Sequence, residues 1–168
     1  MDKRILLIGM MGSGKTTVGR GLAERLGAPY CDSDAQVEQN TGRTVPDILE
    51  RDGEAAFRAE EKRALVEATT AEGPIVVSVA GGAVLDPDNR RRLREAGTVV
   101  WLRARVDTLI SRLGDGEGRP LLAGDVAGNL RRLYAERLPL YTELADVVVD
   151  VDDLPPEEIV ERVAREVA

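Results

Sequence analysis

The chain has 168 residues, enough for one domain with a sizeable core, and it carries 23 Lys and Arg against 30 Asp and Glu, a net charge of −7. That balance excludes a broad nucleic-acid or anionic-membrane surface, which needs a basic face, while leaving room for a small anion held by a few converging arginines. One cysteine, Cys31, excludes an intramolecular disulfide, and the absence of histidine leaves general-base chemistry to carboxylates or lysine and rules out Cys/His zinc sites.

Met1-Asp2-Lys3-Arg4 leads straight into Ile5–Ile8, an apolar run that reads as a buried strand. It is too short for the apolar region of a secretory signal, and no run approaches membrane-spanning length. A cytoplasmic protein is expected. Gly9-Met-Met-Gly-Ser-Gly14-Lys15-Thr16 follows, between this strand and a helical stretch at Thr16–Leu26. Glycine, four residues, then Gly-Lys-Thr in that setting is a phosphate cradle. Its glycines let successive N–H groups turn inward onto a polyphosphate, and the helix adds its positive end. Gly12, Ser13, Gly14, Lys15, Thr16 and Thr17 are therefore candidate nucleotide contacts. Lys15 can reach the terminal phosphates, and the Thr16 hydroxyl can hold magnesium. A mere turn needs neither the lysine nor the hydroxyl, so a nucleoside triphosphate is the expected ligand.

Gly27 and Pro29 end the first helix. A weaker apolar run around Tyr30 then reaches Cys31-Asp32-Ser33-Asp34. If the strand continues, the two carboxylates face the same way. Beside a nucleotide-bound magnesium, one can help hold the metal and the other can accept a hydrogen bond from an acceptor hydroxyl. Either can instead cap a helix starting at Ala35. Helical patterns follow at Val45–Arg51 and Glu54–Thr70. In the second, Arg58 and Glu61 share a face. They form either a surface ion pair or an arginine fork for a substrate carboxylate, steadied by the glutamate. Residues 34–62 read as an acceptor-binding helical segment.

Ile75–Val79 is a further buried strand, and Ala80-Gly81-Gly82 follows it. Glycines there admit a ligand to the backbone and offer bare N–H groups. Asp86-Pro-Asp opens a helix over Asn89–Ala96, and a strand is expected at Val99–Leu102. The helix Val106–Leu113 carries Arg112 near its end, placed to stack on a nucleotide base or to complement the helix C-terminus. Gly114–Gly124 holds four glycines in eleven residues. It reads as a mobile lid that carries Arg119 onto the phosphates, or as a flexible surface loop. Val126–Leu144 is helical in pattern. Pro139 is expected to break it just past Arg137, which sets Arg137 near an edge of the fold while Arg131 and Arg132 are solvated. A last apolar run, Val147–Val151, reads as a strand buried on both faces. Pro155-Pro156-Glu-Glu starts the final helix, Glu157–Val167. Strands alternating with helices predict an α/β fold with a parallel sheet covered on both faces, and ligands at the carboxyl ends of its strands.

Together these motifs resemble the shikimate kinase family over nearly the whole chain and in order. They run from Gly-Met-Met-Gly-Ser-Gly-Lys-Thr-Thr-Val-Gly-Arg, through Asp32-Ser-Asp34 and Phe57-Arg58-Ala-Glu-Glu61, to Gly81-Gly82-Ala-Val, Arg119-Pro-Leu-Leu and Arg137-Leu-Pro-Leu-Tyr141. The resemblance implies a P-loop kinase sandwich of three layers, with a five-stranded parallel sheet in the order 2-3-1-4-5. It implies ATP-dependent phosphorylation of the shikimate 3-hydroxyl by a cytoplasmic monomer, with no nucleic acid or membrane partner. Lys15, Asp34 and Arg119 would be catalytic. Lys15 would hold the ATP phosphates with the loop amides, and Arg119 would swing in with the lid. Thr16 and Asp32 would hold Mg2+, and Asp34 would orient or deprotonate the hydroxyl. Arg58 and Arg137 would grip the shikimate carboxylate beside Gly81 and Gly82, with Arg112 against adenine.

One departure is visible. The family usually has three consecutive glycines where this chain has Ala80-Gly81-Gly82, and a methyl at the first position forbids a left-handed backbone. If that glycine needs one, affinity falls. Another small-metabolite or nucleoside-monophosphate kinase, such as a gluconate kinase relative, would share the cradle and lid but not the Asp34, Arg58 and Arg137 set. A nucleotide-binding module without catalysis would lack Lys15, Thr16, Asp34 or Arg119, and all four are present.

Overall fold

Five short strands lie side by side and parallel: β1 (Arg4–Ile8), β2 (Tyr30–Asp32), β3 (Ile75–Ser78), β4 (Thr98–Arg103) and β5 (Val147–Asp150), in the order β2-β3-β1-β4-β5. The computed structural model describes residues 3–168; Met1 and Asp2, where the N-terminal reading begins, lie outside them. β1 is central. Leu6 pairs in register with Val77 on one side and Val99 on the other, and Leu6, Val77 and Val99 are all fully buried. Helices cover both faces, which explains why these strands read as unbroken apolar runs.

Among the described residues, eight α-helices connect and flank the strands: α1 (Lys15–Leu26), α2 (Ser33–Thr41), α3 (Val45–Arg51), α4 (Glu54–Thr70), α5 (Pro87–Ala96), α6 (Val106–Leu113), α7 (Val126–Leu144) and α8 (Pro156–Glu166). Their ends follow local chemistry. Gly27 closes α1 in the left-handed region. Asp86 caps α5 by accepting from the Asp88 N–H, with proline in its first turn. None of the described helices is long and apolar enough to cross a membrane.

Two sequence expectations need correction. Pro139 does not break α7, which runs unbroken from Val126 to Leu144. A proline inside a helix costs about 3 kcal/mol. Here the flanking turns bury Leu130, Leu133, Tyr141 and Leu144, each worth roughly 1.5–3 kcal/mol, so packing wins. Arg137 consequently lies in the interior, 1% exposed, not near an edge. The last apolar run also differs from expectation. β5 pairs only with β4, leaving Val148 43% exposed while Val149 is buried. The bidentate Arg103–Asp150 pair across this outer strand gives the edge a charged rim.

Candidate active site

The phosphate cradle joins the C-terminal end of β1 to α1. Gly12 and Gly14 hold φ values of +82° and +95°, a region that side chains disfavour. Lys15 opens α1 and folds back over its own loop, donating to the carbonyls of Gly9 (2.7 Å) and Met10 (3.0 Å). Burial lowers its ammonium to about 8, Asp34 opposes that shift, and Arg119 and Arg137 reinforce it. A polyphosphate in the cradle would supply the negative charge this cation lacks. Ser13 is buried, and its Oγ has no partner among the described residues.

Beneath the loop, the Ser78 hydroxyl donates to the Lys15 carbonyl at 2.8 Å and accepts from the Tyr30 hydroxyl at 2.9 Å. Sequence reasoning missed this brace. Its trace was Gly19 on α1: a Cβ there would lie 2.6 Å from Tyr30 Cε2 and 2.8 Å from Ser78 Oγ. Glycine lets α1 sit close to the ends of β2 and β3.

The two aspartates are not on one continued strand. β2 ends at Asp32, and Asp34 falls in the first turn of α2. Asp32 has two duties. Its Oδ1 accepts from the N–H groups of Asp34 (2.9 Å) and Ala35 (3.2 Å), capping α2. Its Oδ2 accepts from the Thr16 hydroxyl at 3.1 Å. One side chain thus both caps the helix and faces the phosphate site. Asp34 lines the same cavity, and its buried Oδ1 has no partner among the described residues. Burial first, then the neighbouring Asp32 charge, raises its pKa, while Lys15 and Arg119 pull it down.

Across the cavity, Arg58 on α4 donates through Nη1 to both Glu61 oxygens, at 3.0 and 2.8 Å. This is not a surface pair, because Glu61 is 1% exposed. Burial pushes the Glu61 carboxyl up to about 7 against the pull of Arg58. Arg137 reaches the same cavity from α7, and its Nε and Nη1 have no partner among the described residues. Buried guanidinium N–H groups left without acceptors are costly unless a ligand supplies them.

The Gly81-Gly82 turn lies between these arginines. Neither glycine has a positive φ; space is the reason for both. A Cβ on Gly82 would lie 2.6 Å from Arg58 Cζ, and one on Gly81 would lie 3.1 Å from Arg137 Nη1. Ala80 is also outside the left-handed region; Asp153 alone among the described non-glycine residues enters it. The Ala80 methyl therefore causes no backbone conflict, and its N–H donates to the buried Ser33 hydroxyl at 2.8 Å.

The cavity holds about 300 Å³. Gly12, Gly14, Lys15, Thr16, Thr17, Asp32, Asp34, Arg58, Gly81, Gly82, Arg119 and Arg137 all line it. Met11, Val45, Leu49, Phe57 and Leu121 add apolar walls that sequence reasoning did not single out. Arg119 enters from the glycine-rich segment, just before a 3-10 turn at Pro120–Leu122. Arg112 is not part of the lining. It donates to the Gly12 carbonyl at 3.1 Å and so supports the cradle from outside. Among the described residues no three His, Cys, Asp or Glu side chains gather as a metal cage. Thr16 and Asp32 fit a cation that takes its remaining ligands from phosphate and water.

The family profile described as Shikimate kinase matches residues 11–168. A shikimate kinase of Bordetella avium (strain 197N) is 49% identical over 155 residues, covering 92% of this chain and 74% of that one. One from Ruegeria pomeroyi is 45% identical over 165 residues, covering 97% and 84%. Among solved structures, the shikimate kinase from Acinetobacter baumannii in complex with shikimate superposes with a TM-score of 0.93 at 36% identity, over 98% of this chain and 92% of that one. The chain belongs to the shikimate kinase family.

Proposed function

We propose that the protein transfers the γ-phosphoryl group of ATP to the 3-hydroxyl of shikimate. One observation carries this reading. A single cavity joins a phosphate cradle to a buried carboxylate oxygen on Asp34 and to the buried Nε and Nη1 of Arg137, all three without a partner among the described residues. An acceptor that answers both groups needs a hydroxyl and a carboxylate. A coupled ADP-release assay across shikimate, gluconate and nucleoside monophosphates tests the choice. Turnover with shikimate is expected, and turnover with gluconate or a nucleotide in its place would overturn it.

Phosphoryl transfer asks the protein for positioning and charge neutralisation. Lys15 and the loop amides hold the β- and γ-phosphates in line with the acceptor. The acceptor oxygen bonds to the γ-phosphorus as the bridging bond to ADP breaks. The hydroxyl proton passes to Asp34, whose raised pKa suits an acceptor of protons better than an exposed aspartate's. Arg119 adds positive charge on the outer side of the phosphates. Thr16 and Asp32 would hold Mg2+, which would supply further positive charge against the polyphosphate. Arg58, held in place by Glu61, and Arg137 clasp the acceptor carboxylate. The reading takes a monomer as the working unit and places it in the cytoplasm.

Arg58→Ala is expected to raise the acceptor KM by about 10²-fold, the worth of a charge-assisted hydrogen bond pair, with the ATP KM within twofold. Steady-state kinetics in both substrates checks this. A rise in the ATP constant alone would contradict the carboxylate role. The segment Gly114–Gly124 is proposed to close over the bound substrates. Its amides are expected to exchange more slowly with ADP, magnesium and shikimate together than in the free protein. Equal exchange in both states would leave Arg119 without its route to the phosphates.

A further inference from the structure

Tyr141 is buried on α7, 1% exposed, four residues after Arg137 and on the same helix face. Its ring tilts against Trp101 at 5.7 Å, and its hydroxyl lies 3.8 Å from the Met10 sulfur. That hydroxyl donates to the Gly81 carbonyl at 2.6 Å. The ring is thus part of the core, while the hydroxyl is aimed at the backbone of the acceptor site. The mechanism above gives it no task.

The Gly81–Gly82 peptide is the kind that turns over most readily, because glycine on both sides tolerates either sign of φ. A peptide unit is planar and trans, so its C=O and N–H point in opposite directions. A Gly81 carbonyl held by Tyr141 forces the Gly82 N–H away from α7. Rotating the unit would turn that N–H toward the core and its carbonyl toward the arginines. Arg137 approaches the same glycine, where a Cβ would lie 3.1 Å from Nη1 and 3.5 Å from the Tyr141 hydroxyl. We propose that Tyr141 is a positioning residue: by holding the Gly81 carbonyl it locks the Gly81–Gly82 peptide in the orientation that presents an amide donor to the acceptor, in register with Arg137. Burial keeps the phenol protonated, with a pKa near 12, so the donor persists throughout the working pH range. This role rests on the acceptor reading of the cavity.

Kinetics of Tyr141→Phe test it. The acceptor KM is expected to rise about tenfold, the worth of one oriented hydrogen bond, with the ATP KM within twofold. Leu133→Ala, which opens a cavity on the same helix, is expected to lower the melting temperature and leave both constants unchanged. Equal acceptor KM in Tyr141→Phe and parent, or a joint rise for both substrates, overturns the proposal. If Tyr141→Phe fails to fold, 3,5-difluorotyrosine at position 141 keeps shape and hydrogen bond but ionises at lower pH. Its acceptor KM should climb as the phenol loses its proton, while the parent's stays flat over that range; a flat profile in both overturns the role. A parent protein inactive on shikimate would instead refute the acceptor reading itself.

Discussion

Lys15→Met is expected to fold like the parent and to lose on the order of 10³-fold in kcat, the scale of losing a preorganised charge at a site where negative charge is transferred. The ammonium sits at the N-terminus of α1, desolvated enough to be lowered to about 8, and is held by the Gly9 and Met10 carbonyls. Methionine matches the lysine stem as far as Cε but lacks the ammonium. The substitution removes the two bonds from Nζ to the loop carbonyls, but it leaves Gly12, Gly14 and the bond from the Ser78 hydroxyl to the Lys15 carbonyl in place to hold the loop. Thermal melting should therefore change little while single-turnover transfer collapses. Near-normal turnover would remove Lys15 from the phosphate site.

Asp34→Asn is expected to lower kcat by about 10²–10⁴-fold, the range for a positioned proton acceptor, with ATP affinity retained. Asparagine is nearly isosteric and fits the first turn of α2, so a structural collapse is not expected. The pH profile separates the role from simple hydrogen bonding. The carboxylate must be ionised to take a proton, and its folded pKa is raised. Turnover in the parent should thus fall as pH drops through a value above the ordinary aspartate range, and that limb should vanish in the variant. Glu61, raised to about 7, acts elsewhere. When it takes a proton on acidification, its bidentate hold on Arg58 weakens, and the loss shows in the acceptor KM. Stopped-flow and steady-state profiles together assign each limb to kcat or to KM. An unchanged kcat in Asp34→Asn would remove the proton-acceptor role.

The fold was legible because its signals are local. Apolar runs, glycine and proline boundaries, and the cradle pattern each depend on neighbours in sequence, and together they gave the strand count and the sites at strand ends. What escaped depends on contacts distant along the chain. Pro139 looked like a helix breaker until the buried Leu133, Tyr141 and Leu144 were weighed against its cost. β5 looked doubly buried because periodicity does not reveal which strand lies at an edge. The Gly81-Gly82 turn is legible as a place of close approach, but spacing does not show that the neighbours filling the side-chain space are Arg58 and Arg137. Asp32 could not be divided between cap and cavity by spacing alone, because its two oxygens do different work.

The most direct test is to incubate the purified protein with ATP, magnesium and shikimate and to follow the phosphorus nuclear magnetic resonance spectrum. ADP should accumulate in step with one new phosphate monoester, coupled to the proton on carbon 3 of the ring. Release of inorganic phosphate alone, or an ester on another hydroxyl, would contradict the placement of Asp34 and the two arginines around the acceptor.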